Sequence, residues 1–181
     1  MRRRPSAAPA ALLGLLVFAS GAAAQVSEYQ LKAVFLLNFT RFVEWPAEAF
    51  DGAGGPLRLC VLGHDPFDGA LEAAVAGEAA GGHPLEVRRV RDPDDAVGCQ
   101  LLFLSGRSEP QWLDWLPDAG VGQRLTVGEG DEFLRRGGMF RFRLSGNRVR
   151  LEVNRRAVEG SRLRVSAKLM SLAESVEVGP P

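Results

Sequence analysis

Two short runs, Leu57-Arg58-Leu59-Cys60-Val61-Leu62 and Leu101-Leu102-Phe103-Leu104, are apolar at almost every successive position. Successive side chains of a strand point to opposite faces, so a run without alternation buries both of them. Such strands need cover on two sides, which a partly parallel sheet between helices provides. The neighbouring segments fit this plan. Leu85 to Val90 and Arg124 to Val127 read as further strands. Helical segments are predicted from Pro66 to Val75, around Trp112 to Leu116, and as a turn or two from Asp131 to Arg136. Gly81-Gly82 breaks the helix that precedes Leu85.

The two ends of this region differ. Ser27-Glu28-Tyr29-Gln30 is a capping box that opens a helix running through Val43, and Pro46 stops it after Trp45. Gln30, Asn38, Arg41 and Glu44 share a stripe that Val34 and Leu37 interrupt, so the helix is apolar almost all round. It is either a core helix or one whose outer face meets a partner, and that second option leaves a homodimer open. Near the other end, Gly138 to Leu144 and Arg148 to Val153 flank Ser145-Gly146-Asn147, a hairpin signal. A final helix is expected over Ala167 to Val176. The fold class is therefore α/β: a single domain, a mixed β-sheet flanked by helices, with a C-terminal antiparallel hairpin and final helix. A length of 181 residues suits one domain.

Residues 1–24 read as an address rather than as structure. Arg2, Arg3 and Arg4 precede an apolar stretch around Leu12, Leu13, Leu15, Leu16, Val17 and Phe18, and Ala22-Ala23-Ala24 supplies a small-residue exit. This is the plan of a secretory signal peptide, with cleavage expected after Ala24. The alternative is an uncleaved anchoring helix, for which the apolar part is short of the roughly 18 residues a span needs. Export makes the periplasm the expected compartment and leaves 25–181 as the mature domain. An oxidising compartment favours pairing of Cys60 with Cys99, the only two cysteines, against the alternative of two buried free thiols.

Charge is unevenly spread. From Gln25 to Gly130 there are 8 basic and 16 acidic residues; from Asp131 to Lys168 there are 11 basic and 4 acidic. The hairpin concentrates the excess. Phe140, Phe142, Leu144, Val149, Leu151 and Val153 alternate with Arg141, Arg143, Arg148, Arg150 and Glu152, so one face is apolar and the other carries four arginines. Like charges across a strand pair repel. The chain's own acids or solvent can offset them, as can an acidic partner surface or anionic lipid head groups. Export, together with a formal net charge of zero, argues against nucleic acid.

Catalytic signatures are missing. No Gly-rich phosphate loop follows a strand, and Ser105 has no glycine two residues before it. His64 and His83 stand alone; His64 beside Asp65 reads as local turn hydrogen bonding, and no four-ligand zinc spacing is visible. No metal site or cofactor is expected, and an enzyme is not.

Several segments resemble the YfiR family of exported bacterial proteins. They are Leu31-Lys32-Ala33-Val34-Phe35 through Asn38-Phe39 to Phe42-Val43-Glu44-Trp45-Pro46; Cys60-Val61-Leu62-Gly63 with Asp65-Pro66-Phe67; Leu125-Thr126-Val127-Gly128; Gly137-Gly138-Met139-Phe140 with Phe142; Arg148 to Asn154; and Ser166 with Lys168-Leu169 through Leu172-Ala173. The resemblance implies that Cys60 and Cys99 correspond to the family's paired cysteines. It also implies a periplasmic regulator without catalytic activity. Such a protein binds the periplasmic part of an inner-membrane diguanylate cyclase and represses it, thereby controlling cyclic-di-GMP signalling and biofilm formation. An outer-membrane lipoprotein can relieve the repression by sequestering the regulator, and other members serve membrane sensor histidine kinases. The expected contact residues are Met139, Arg141, Arg143, Arg150, Glu152 and Lys168, with Glu152 orienting arginines by bidentate pairing. The competing reading is an envelope protein that binds a small ligand or lipid.

Overall fold

The computed structural model describes residues 27–116, 122–176 and 178. The expected signal peptide lies outside the described residues. Helix α1 spans Glu28–Phe42. Its capping box forms as the sequence dictates: Ser27 Oγ accepts from the Gln30 amide at 3.1 Å, and Gln30 Oε1 accepts from the Ser27 amide at 2.7 Å. The helix ends three residues earlier than expected. Val43 turns extended and, with Glu44, forms β1, which pairs antiparallel with β9 (Arg164–Val165) in a small second sheet.

Among the described residues the main sheet has eight strands, in the order β10 (Glu174–Ser175), β8 (Arg148–Val153), β7 (Phe140–Ser145), β6 (Leu125–Gly128), β5 (Leu101–Leu104), β2 (Leu57–Leu62), β4 (His83–Val90) and β3 (Ala79–Ala80). Its centre is parallel: β4 (His83–Val90), β2 (Leu57–Leu62), β5 (Leu101–Leu104) and β6 (Leu125–Gly128), with β7 (Phe140–Ser145) continuing parallel to β6. Helix α2 (Ala70–Val75) carries the chain from β2 toward β4. The expected hairpin is present: β7 pairs antiparallel with β8 (Arg148–Val153) from Phe140↔Val153 to Ser145↔Arg148.

Alternation along the strands separates two apolar layers. Leu57, Leu59, Val61, Leu101, Phe103, Val127, Phe140, Phe142, Leu151 and Val153 face α1. There Phe39 meets Phe140 and Phe142 at centroid distances of 5.3 and 6.0 Å. Cys60, Leu62, Leu102, Leu104 and Phe133 fill the opposite face. The Phe133 ring lies between Gly128 and Gly138, where a Cβ built on either glycine would come within 2.3 and 2.2 Å of ring carbons. Only a bare backbone fits at these two positions.

Four features depart from the sequence reading. Gly81-Gly82 does more than break a helix: with φ of +60° and +86° it makes the hairpin turn between β3 (Ala79–Ala80) and β4. The segment 131–136 forms turns rather than a helix. A short helix α3 (Arg155–Glu159) follows β8, capped by Asn154 Oδ1, which accepts from the Ala157 amide at 3.1 Å. The final helix α4 stops at Leu172, because Ala173 turns extended and Glu174–Ser175 become β10, parallel to β8 at the sheet edge.

Candidate functional site: the arginine face of the hairpin

The hairpin's outer face is a lattice of arginines and acids. Glu152, 5% exposed, lies opposite Arg141 in the register. Glu152 Oε2 accepts from Arg141 Nε at 2.7 Å and lies 2.5 Å from its Nη2; Glu152 Oε1 accepts from Arg143 Nε at 2.5 Å. One carboxylate thus meets two guanidinium groups, Arg141 through two nitrogens on Oε2 and Arg143 through Nε on Oε1, and these charge-assisted bonds orient both without the expected two-oxygen fork. Arg141 also donates from Nη1 to the Gly130 carbonyl and lies 3.2 Å from Asp131. The next row is looser. Arg143 and Arg150 face each other across the strands, and Glu174 of β10 reaches both, at 3.5 and 4.0 Å. The Arg143 guanidinium is pushed further up from its ordinary range, first by its hydrogen bond to Glu152 and then by that carboxylate's charge. Arg148 lies on the same face, is exposed, and pairs with no carboxylate among the described residues.

The structure therefore brings Arg141, Arg143, Arg150 and Glu152 together and separates two other expected contacts from them. Met139 is fully buried; its side chain is in the core layer on the α1 side, so it offers no contact surface in this conformation. Lys168 sits with the helices on that same side, its Nζ 5.3 Å from the Phe42 ring centroid. Two acids of the lattice, Asp131 and Glu174, were not among the expected residues. The signal for Glu174 was the alternation of Val176 and Val178 beyond it, a period of two where a helix was read. The chain's own acids neutralise Arg141 fully and Arg143 in large part, while Arg148 and Arg150 stay exposed at the rim.

A second polar cluster sits at the carboxyl ends of the parallel strands. Lys32 of α1, 3% exposed, pairs with Glu28 one turn away and with Glu129 at 2.5 Å. Glu129 also accepts from the Gly106 amide at 2.8 Å and from Tyr29 at 3.4 Å. Burial and these acids push the Tyr29 hydroxyl up to about 12. Two carboxylates offset the cost of burying one ammonium, so the cluster ties α1 to the loops after β5 and β6. Glu109 lies beside it, 2% exposed, accepting from the Gly130 amide at 2.7 Å and the Glu129 amide at 3.2 Å. Burial raises its pKa; the two backbone hydrogen bonds oppose that rise.

This raised value has a testable sign. The folded chain holds the Glu109 proton more tightly than the unfolded chain does. The stability so gained is fully present below the unfolded value of about 4.3 and is lost as pH rises through the folded pKa. Glu109→Gln keeps an acceptor for the Gly130 amide and removes the charge. Melting curves across pH 4 to 7 should show the variant gaining on the wild type as pH rises; parallel profiles would remove Glu109 from the account.

The remaining candidates resolve into local structure or open surface. The His64 amide donates to Ser108 Oγ at 2.6 Å, Asp65 caps the Phe67 amide at 2.9 Å, and His83 stacks on Phe50. Among the described residues, no three His, Cys, Asp or Glu side chains are grouped to hold a metal, and no helix is long and apolar enough to cross a membrane. A cleft of about 660 Å³ lies beside Cys99 at the amino ends of β5 and β6, lined by Glu48, Asp51, Arg124 and Arg162 among others. The Arg124 guanidinium is spent there on the Cys99 and Ala96 carbonyls, and its burial lowers its pKa. Cys60 and Cys99 are joined in a disulfide. No curated protein matches the chain. The family model described as YfiR/HmsC-like matches residues 29–174, which takes in the disulfide, both core layers and the arginine face, and the chain belongs to that family.

Proposed function

We propose that this protein is a periplasmic, non-catalytic regulator. It docks on the periplasmic domain of an inner-membrane signalling protein of the diguanylate cyclase type and holds it inactive, which lowers cyclic-di-GMP output. Family membership supports the regulatory class. The observation that carries the docking mode is the exposed rim of Arg148 and Arg150 beside half-buried Arg143, on a sheet face where Glu152 holds Arg141 and Arg143. A cationic rim complements an acidic surface and steers its approach. Repression then follows from tighter binding to the receptor's inactive arrangement than to its active one. A membrane sensor histidine kinase with an acidic periplasmic face would be held in the same way. An outer-membrane lipoprotein that took the same face would relieve the repression.

The cleft beside Cys99 is the basis of a second reading, an envelope protein for a small ligand. In sheets of this kind ligands sit at the carboxyl ends of the parallel strands. This cleft is at the amino ends, which places that reading second.

The test is calorimetric titration of oxidised 25–181 with the periplasmic domain of the membrane receptor encoded beside it. Micromolar or tighter binding is expected, about −8 kcal/mol or better, with a loss of at least about tenfold for the double variant Arg148→Glu/Arg150→Glu. Undiminished binding by that variant would move the docking face elsewhere.

A further inference from the structure

The two glutamates of the arginine face differ in kind. The Glu152 side chain is 7% exposed and binds two guanidinium groups; it builds the face. The Glu174 side chain is 56% exposed and reaches Arg143 and Arg150 only at 3.5 and 4.0 Å. It stands on a strand of two exposed residues that is parallel to β8 and held beyond its own ladder by the Val176 amide on the Val153 carbonyl and by Arg155 Nε on Ser175 Oγ. The Val176 bond shows that the backbone of Val153 points toward β10. By the alternation of a strand, Leu151 and Val149 present theirs to the same edge. Toward the turn, past the register of β10, Val149 pairs with Leu144 of β7 on one side, and among the described residues it has no strand partner on the other edge and Arg148 beside it has no acid. An extended segment bearing an acid therefore already occupies half of this edge, and it belongs to the chain itself.

We propose that β10 is an internal placeholder: Glu174 occupies the arginines that an acidic, extended segment of the partner takes over. The incoming segment pairs with the β8 edge from Val149 onward and sets its carboxylates on Arg143, Arg148 and Arg150, displacing Glu174. This deepens the docking reading above and rests on it. The two acids then have opposite effects on affinity. Removing Glu152 disorders the receiving arginines, whereas removing Glu174 frees them.

The probe is a synthetic heptapeptide alternating Glu and Val, titrated into oxidised 25–181, with a Lys–Val peptide as control. Glu174→Gln should tighten binding of the acidic peptide by about two- to fivefold, the worth of an exposed ion pair. Glu152→Gln and Arg150→Glu should weaken it, and the Lys–Val peptide should not bind. Bound peptide should slow hydrogen exchange at the Val149 and Leu151 amides, a readout that side-chain contact alone would not move. Equal or weaker binding by Glu174→Gln, or unchanged exchange at those amides, overturns the placeholder. If the receptor domain binds while the peptide does not, the placeholder fails and the docking function stands. Binding of phosphatidylglycerol vesicles that Glu174→Gln strengthens, with no binding of the peptide, also overturns it and assigns the edge to a membrane surface.

Discussion

Replacing Cys60 and Cys99 with alanine lowers the stability of the domain by about 4 kcal/mol. The bridge spans a sequence separation of 39, and closing a loop of that length removes roughly this much conformational freedom from the unfolded chain. It joins the central strand β2 to Cys99, two residues before β5, and what surrounds it depends on that junction. Gln100 accepts from the Arg58 amide at 2.7 Å and donates to the Ala49 carbonyl, while the Trp45 indole donates to the Gln100 carbonyl at 2.9 Å. Arg124 binds the carbonyls of Cys99 and Ala96. Loosening Cys99 therefore frees the entry to β5, the start of β6 and the loop after α1 together. Denaturant melts read the effect, equivalent to about 10 °C in melting temperature for a domain of this size. A midpoint within a degree or two of the wild type would show that packing alone fixes this corner.

Replacing Glu152 with alanine costs about 3 kcal/mol, because it strands the Arg141 guanidinium, 12% exposed, in a site built around a carboxylate. The matched change at Glu174, whose partners are 40% and 49% exposed, costs under about 1 kcal/mol. The contrast within one pair of variants is the informative quantity. Equal losses would mean that the lattice is not organised around Glu152, and the arginine face on which docking rests would lose its support.

The parts of the fold that sequence made legible are those where local pattern and tertiary demand agree. The capping box at Ser27 and Gln30, the doubly buried runs at Leu57 and Leu101, and the alternation from Phe140 to Val153 each have one structural solution, and each takes it. The missed pieces are those that tertiary pairing decides. Val43–Glu44 and Arg164–Val165 are strands only because they meet each other. Glu174–Ser175 leave the helix because the open edge of β8 is there to pair with. The arginine face was legible as a face. Its internal neutralisation was not, since Asp131 and Glu174 come from segments read as helix and lie on strand-like or turn backbone instead. Met139 illustrates the limit of reading contacts from neighbours in sequence: it adjoins the hairpin but points into the core.

If docking at this face silences a membrane enzyme, it acts on the rate of cyclic-di-GMP synthesis by the full-length receptor in proteoliposomes, with oxidised 25–181 added on the periplasmic side. A saturable fall in rate, shifted to about tenfold higher protein concentration by Arg148→Glu/Arg150→Glu, is the predicted result. An unchanged rate at concentrations that saturate binding of the same domain would contradict it.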